Sequence, residues 1–211
     1  MGVTMNFPDR PFDDAGEYVL AYTKALREAS ATVDPGMFRR AAEVLRCCIA
    51  RNATIFTCGN GGSAAIANHM VCDHTKGVRA DTGILPRVHS LVANIEINTA
   101  IANDVSYDQV FAFQLESYAS LGDVLVAISS SGNSANIVNA LVTAKNKGLT
   151  TIAMTGFAGG RARELADIAL HVGSRNYGIV EDLHQSLMHG LAQFLRQHHI
   201  ADKSLVSSRT F

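Results

Sequence analysis

Ser129, Ser130, Ser131 and Ser134, gathered around Gly132 and Asn133 behind the apolar run DVLVAIS, place four hydroxyls within six residues. A phosphate monoester carries about two negative charges and several acceptor oxygens, so hydroxyls and the amides of a helix start can hold it without a lysine. A helix N-cap needs only one such serine. The density therefore favours an anion site over a cap with polar neighbours. A second loop, Gly59-Asn60-Gly61-Gly62-Ser63, follows the run ATIFTC. Its glycines allow a sharp turn and close approach to a ligand, and the helix start behind it suits an anion or sugar oxygens. It matches neither a dinucleotide fingerprint nor a Walker loop, and a tight turn with a helix cap explains it equally well. A third loop, from Thr155 to Gly160, reads as a turn that shapes the same edge without touching a ligand.

Acids and imidazoles come next. His69 and Asp73 stand four residues apart on the helix that follows the second loop, so they share a face and can reach one metal ion or one substrate. Far downstream, VEDLHQSLMHGLAQFL carries Glu181, Asp182, His184, Gln185 and His189. Gln185 and His189 share a face, and Glu181 opens the same stripe. A carboxylate beside an imidazole is a natural proton-transfer pair. His74, His184, His198 and His199 are read as ordinary core or surface histidines.

Stepping outward from these residues, five short β-rich runs alternate with helical patterns: ATIFTC, RVHSLVA, DVLVAIS, TTIAMT and DIALHV. Near-continuous apolar strands separated by helices predict a parallel sheet covered on both faces. Ligands of such sheets bind beyond the carboxyl ends of the strands, where the loops above lie. Two helices, over residues 15–31 and 37–50, precede the sheet. The expectation is one domain: a helical N-terminal extension over 1–52 and an α/β sandwich over 53–200.

Composition narrows the function classes. The chain has 211 residues, 47% hydrophobic and 18% charged, with net charge -1. No bulk positive field points to nucleic acid. No apolar run is long enough to span a bilayer. The first residues lack a secretory leader, and Asn6 breaks the myristoylation pattern, so a cytoplasmic, non-membrane protein is expected. The adjacent Cys47 and Cys48 suit neither a disulfide nor a zinc knuckle and read as buried small hydrophobes on a helix.

Taken together, TIFTCGNGGSAAIANHM, IANDVSYDQVF, GDVLVAISSSGNSANIVNAL, TIAMTGFAGG and VEDLHQSLMHGL resemble the sugar-isomerase (SIS) domain proteins, and among them the phosphoheptose isomerases. The resemblance runs from about residue 15 to residue 197 with the motifs in the family's order. SGNSAN alone would point only to SIS domains at large.

The resemblance implies a doubly wound, flavodoxin-like sandwich that assembles as a homotetramer with active sites between subunits. It implies aldose–ketose isomerisation of sedoheptulose 7-phosphate to D-glycero-D-manno-heptose 7-phosphate, serving bacterial surface polysaccharide. Ser129, Ser130, Ser131 and Ser134 would bind the phosphate. Asn60, Gly61 and Ser63 would contact the sugar, and Asp104 its hydroxyls. His69, Asp73, Glu181 and His189 match four positions that hold zinc in several members. Asp73 stands where the family usually has Glu, and Glu181 where it has Gln. An arginine common just past the first site helix has no aligned counterpart, although Lys76 and Arg79 lie near. The expected base is Asp73 and the expected acid His189, with Glu181 as the alternative base. Rival readings are a catalytically silent SIS adaptor that binds the replication initiator, an isomerase for another phosphosugar, and a sugar-phosphate sensor. Asp73 and His189 favour the enzyme over the adaptor, and there is no room for the DNA-binding module a sensor usually carries.

Overall fold

The computed structural model describes residues 6–210. Five parallel strands form the sheet: β1 (Thr54–Gly59), β2 (Arg87–Ser90), β3 (Val124–Ser129), β4 (Thr150–Thr155) and β5 (Ile168–His171). Their order is β2-β1-β3-β4-β5, the flavodoxin-like order that was expected.

Period-two alternation sends each strand's side chains to both faces. On β3, Val124, Val126 and Ile128 enter one core, while Leu125 and Ala127 enter the other. The first core is closed by α2 (Pro35–Ala50), α3 (Gly62–Cys72) and α8 (Tyr177–His199), through Leu45, Met70 and Leu191 among others. The second is closed by α4 (Ile95–Asp104), α5 (Ala112–Tyr118), α6 (Ala135–Asn146) and α7 (Gly160–Leu165), through Ile101, Leu115, Ile137 and Ala162. Each fully buried aliphatic side chain contributes about 1.5–3 kcal/mol. The sandwich is therefore a stiff platform for its loops.

Both N-terminal helices form where the pattern places them. α1 (Ala15–Ser30) is capped by Asp14, which accepts from Glu17 N. α2 starts at Pro35, and the Asp34 carboxylate accepts from Gly36 N at 2.7 Å. α1 packs on α8, and Tyr22 Oη donates to Asp182 Oδ2 at 2.5 Å.

The chain leaves β1 through α3 towards β2, and leaves β3 through α6 towards β4. β1 and β3 are neighbours, so the two connections diverge and open a crevice at their carboxyl ends. One local feature was not anticipated: the chain continues from α3 into a π-helical stretch, Asp73–Val78. Such stretches are rare and occur frequently at functional sites. No helix among the described residues is long and apolar enough to cross a membrane. The absence of a leader or myristoylation pattern was read partly from residues 1–5, which lie outside the described residues.

Candidate active site

The serine loop leaves β3 at Ser129 and enters α6 after Ser134, the N-cap. Two of its hydroxyls shape the loop: Ser129 Oγ accepts from Gly132 N at 3.1 Å, and Ser131 Oγ from Asn133 N at 3.3 Å. The other two are uncommitted. Ser134 makes no side-chain cap bond, and Ser130, only 5% exposed, has an Oγ with no partner among the described residues. A buried polar atom costs free energy unless something satisfies it. These serines line a cavity of about 280 Å³.

Gly132 sits at φ +67°, and a Cβ there would collide with the Gly159 carbonyl. Gly156 N donates to Ser130 O at 2.9 Å, Ala162 N to Gly132 O at 2.9 Å, and Arg161 N to Asn133 Oδ1 at 3.0 Å. The Thr155–Gly160 loop is thus a buttress for the serine loop.

Across the crevice, Gly61 at φ +54° turns the chain from β1 into α3. Asn60, Gly61, Gly62 and Ser63 line the same cavity as the serines. Asn60 is held in a closed amide pair with Asn136: Nδ2 of each donates to Oδ1 of the other at 2.9 Å. Tyr107 Oη also donates to Asn60 Oδ1 at 2.9 Å. Asn136 is buried in the first turn of α6, so this pair ties the two loops together. Neither Asn136 nor Tyr107 was singled out from the sequence. The only signal for Asn136 was a second asparagine within SGNSAN.

His69, Asp73 and His189 converge at the end of α3 against α8. His69 Nε2 is 3.2 Å from Asp73 Oδ1, and His189 Nε2 is 3.5 Å from Asp73 Oδ2. The two imidazole Nε2 atoms face each other at 3.2 Å, and Gln185 Nε2 is 2.8 Å from that of His189. One ligand atom from each of His69, Asp73 and His189 lies within 4.8 Å of the others, as a metal group requires. Donors about 3.3 Å apart suit a tetrahedral ion with bonds of about 2.0–2.1 Å. Two imidazole nitrogens facing one another beside a carboxylate are a donor set such an ion takes.

Glu181 does not join this group. Its carboxylate lies over Gly62, where any Cβ would collide with it, and it lines the serine cavity together with Tyr177. The expectation that four side chains meet at one point is met by three. Residues eight apart on a helix are separated by about 12 Å of rise and about 80° of rotation. Gln185, one turn from His189, touches the histidine instead. Asp104 ends α4, is exposed, accepts from Asn103 Nδ2 at 2.7 Å, and is not among the residues that line the cavity.

An α/β sheet of this order, with a serine loop and a glycine loop at its switch point, defines the SIS class, and the SIS-domain family model matches residues 17–156. A phosphoheptose isomerase of Desulfovibrio desulfuricans is 35% identical over 184 residues, 86% of this chain and 87% of the relative. The solved phosphoheptose isomerase of Neisseria gonorrhoeae superposes with a TM-score of 0.80 at 30% identity, covering 86% of this chain and 98% of that one. For that of Francisella tularensis the TM-score is 0.81 at 26% identity, covering 87% and 99%. The chain belongs to the phosphoheptose isomerase family of SIS-domain proteins.

Proposed function

We propose that this enzyme interconverts sedoheptulose 7-phosphate and D-glycero-D-manno-heptose 7-phosphate through an enediol. The observation that carries the reading is one cavity lined by Ser129, Ser130, Ser131, Ser134 and Glu181, with a Ser130 hydroxyl that has no partner among the described residues. Such a hydroxyl awaits an acceptor, and the α6 N-terminus behind it favours an anion. Ser129, Ser130, Ser131 and Ser134 hold the phosphate in this reading. Asn60, Gly61 and Ser63 meet the sugar. His189 stands with His69 and Asp73 outside that cavity. The family name carried by the relatives supplies the substrate.

His69, Asp73 and His189 would hold zinc, with Gln185 beside them. Zinc there would polarise a carbonyl and stabilise an enediolate. The presence of this imidazole and carboxylate group disfavours a silent adaptor, which has no use for it.

A homotetramer with shared sites is part of the proposal. Val19 and Leu20 on α1 are large apolar side chains left exposed, and Asp104 is not among the residues that line its own chain's cavity. The product would feed surface polysaccharide synthesis in the cytoplasm. Light scattering should report four chains per particle at micromolar concentration, and a monomer there removes the shared site.

The reading is tested by incubating the purified protein with a panel of aldose and ketose phosphates and following each by proton NMR. Sedoheptulose 7-phosphate should equilibrate with its aldose isomer. Equilibration of a different phosphosugar in its place would reassign the substrate.

A further inference from the structure

We propose that Glu181, and not Asp73, is the base that carries the proton between the two reacting carbons. The inference deepens the isomerase reading and rests on it. A base must lie within hydrogen-bond reach of the proton it removes in a plausible substrate pose. A phosphosugar seated with its phosphate on Ser130 and Ser134 fills the cavity those residues line. Among that cavity's lining residues Glu181 is the one carboxylate, and no imidazole is present.

Asp73 is placed and occupied differently. Its Oδ1 faces His69 at 3.2 Å and its Oδ2 faces His189 at 3.5 Å. Both oxygens are therefore committed to imidazoles, and a cation held by the group would take a lone pair as well. Asp73 also sits beside His189, about 12 Å along α8 from Glu181. The Glu181 carboxylate, by contrast, has no hydrogen bond or ion pair among the described residues. It lies over Gly62 at the start of α3, where the absence of a Cβ makes room for it. Tyr22 and Asp182 tie the same turn of α8 to α1.

The step balances within the substrate. In the ketose direction Glu181 accepts the proton from C1. The C1–H electron pair forms the C1–C2 double bond, and the carbonyl oxygen on C2 takes a proton from solvent. Glu181, its proton exchanged with solvent, then protonates C2, and the C1 hydroxyl loses its proton to solvent to leave the aldehyde. No oxidant or reductant is consumed.

The experiment compares the whole protein with Glu181→Gln, Glu181→Asp and Asp73→Asn, using sedoheptulose 7-phosphate in deuterium oxide. Turnover and deuterium wash-in at C1 are followed by NMR, substrate affinity by calorimetry and folding by circular dichroism. Glu181→Gln should lose about 10²–10⁴-fold in both isomerisation and wash-in, the usual worth of a general base, while its affinity stays within about threefold. Glu181→Asp keeps the carboxylate one methylene back and should retain measurable wash-in. Added formate should restore part of the turnover of Glu181→Ala but not of Asp73→Ala. If the wild-type protein turns over and Glu181→Gln stays within tenfold of it, the base assignment is wrong and the isomerase reading survives. If Glu181→Gln does not fold, Glu181→Asp decides, and wild-type wash-in with no loss in that variant overturns the assignment. A wild-type protein that never converts the sugar overturns the isomerase reading and the base assignment with it.

Discussion

His184 should make this protein sensitive to mild acid. The residue is fully buried on α8, beside the Thr155 backbone. Burial pushes its pKa down to about 4. The unfolded chain binds a proton near the ordinary value of about 6.5. Between those values the unfolded state holds the proton and the folded state does not, so stability falls as pH drops from 6.5 towards 4. Integrated from pH 7.5 to pH 5, the loss from this one residue is about 2 kcal/mol. For a chain of this size that is about 4–8 °C in Tm. His74 is also buried, with its pKa lowered by burial, and His171 is lowered to about 4 by burial and by Arg163, so the total slope is steeper. The clean measurement is therefore a difference. Calorimetric Tm values at pH 7.5 and 5, at fixed protein concentration, are compared for the wild type and His184→Leu, which keeps an apolar side chain in the slot. The variant should lose about 4–8 °C less than the wild type between the two pH values. Equal losses would refute the argument that this imidazole is held neutral in the fold.

Three further outcomes follow from the site. Ser130→Ala removes a hydroxyl that bonds nothing within the described protein, so Tm should move by less than about 1 °C, while KM for the phosphosugar should rise about 10–100-fold, the worth of a hydrogen bond to a charged group. Gly132→Ala places a Cβ against the Gly159 carbonyl at a positive φ and should cost at least about 1–2 kcal/mol, read by urea unfolding, together with a raised KM. His189→Ala removes one of three ligands, so metal content by atomic emission should fall from about one zinc per chain to near zero, and dialysis of the wild type against a chelator should lower turnover without unfolding it.

Much of this molecule is written in local signals. The five apolar runs become five strands because period and punctuation agree, and Asp34-Pro35 starts α2 because cap and first-turn geometry are local properties. The serine loop was legible for the same reason: one strand, one helix start and a surplus of hydroxyls. The pairs at four-residue spacing, His69 with Asp73 and Gln185 with His189, also meet as read. What the sequence did not disclose depends on accumulated rotation or on contacts across the fold. Eight residues of α8 turn Glu181 about 80° away from His189 and carry it to the serine cavity. Asn60 and Asn136 are separated by 76 positions, and no spacing rule links them. The π-helical stretch from Asp73 depends on how α3 runs out against α8, which local propensity does not encode.

The central claim is that a phosphosugar anchored on the serine loop is isomerised by proton transfer at its first two carbons. The most direct measurement is a proton NMR time course of sedoheptulose 7-phosphate with catalytic protein in deuterium oxide. The account predicts growth of the aldose with one solvent deuteron at C2, absent when Ser130 and Ser134 are both alanine at the same substrate concentration. Unchanged ketose after prolonged incubation with folded protein, or conversion that the two serine replacements leave untouched, would contradict it.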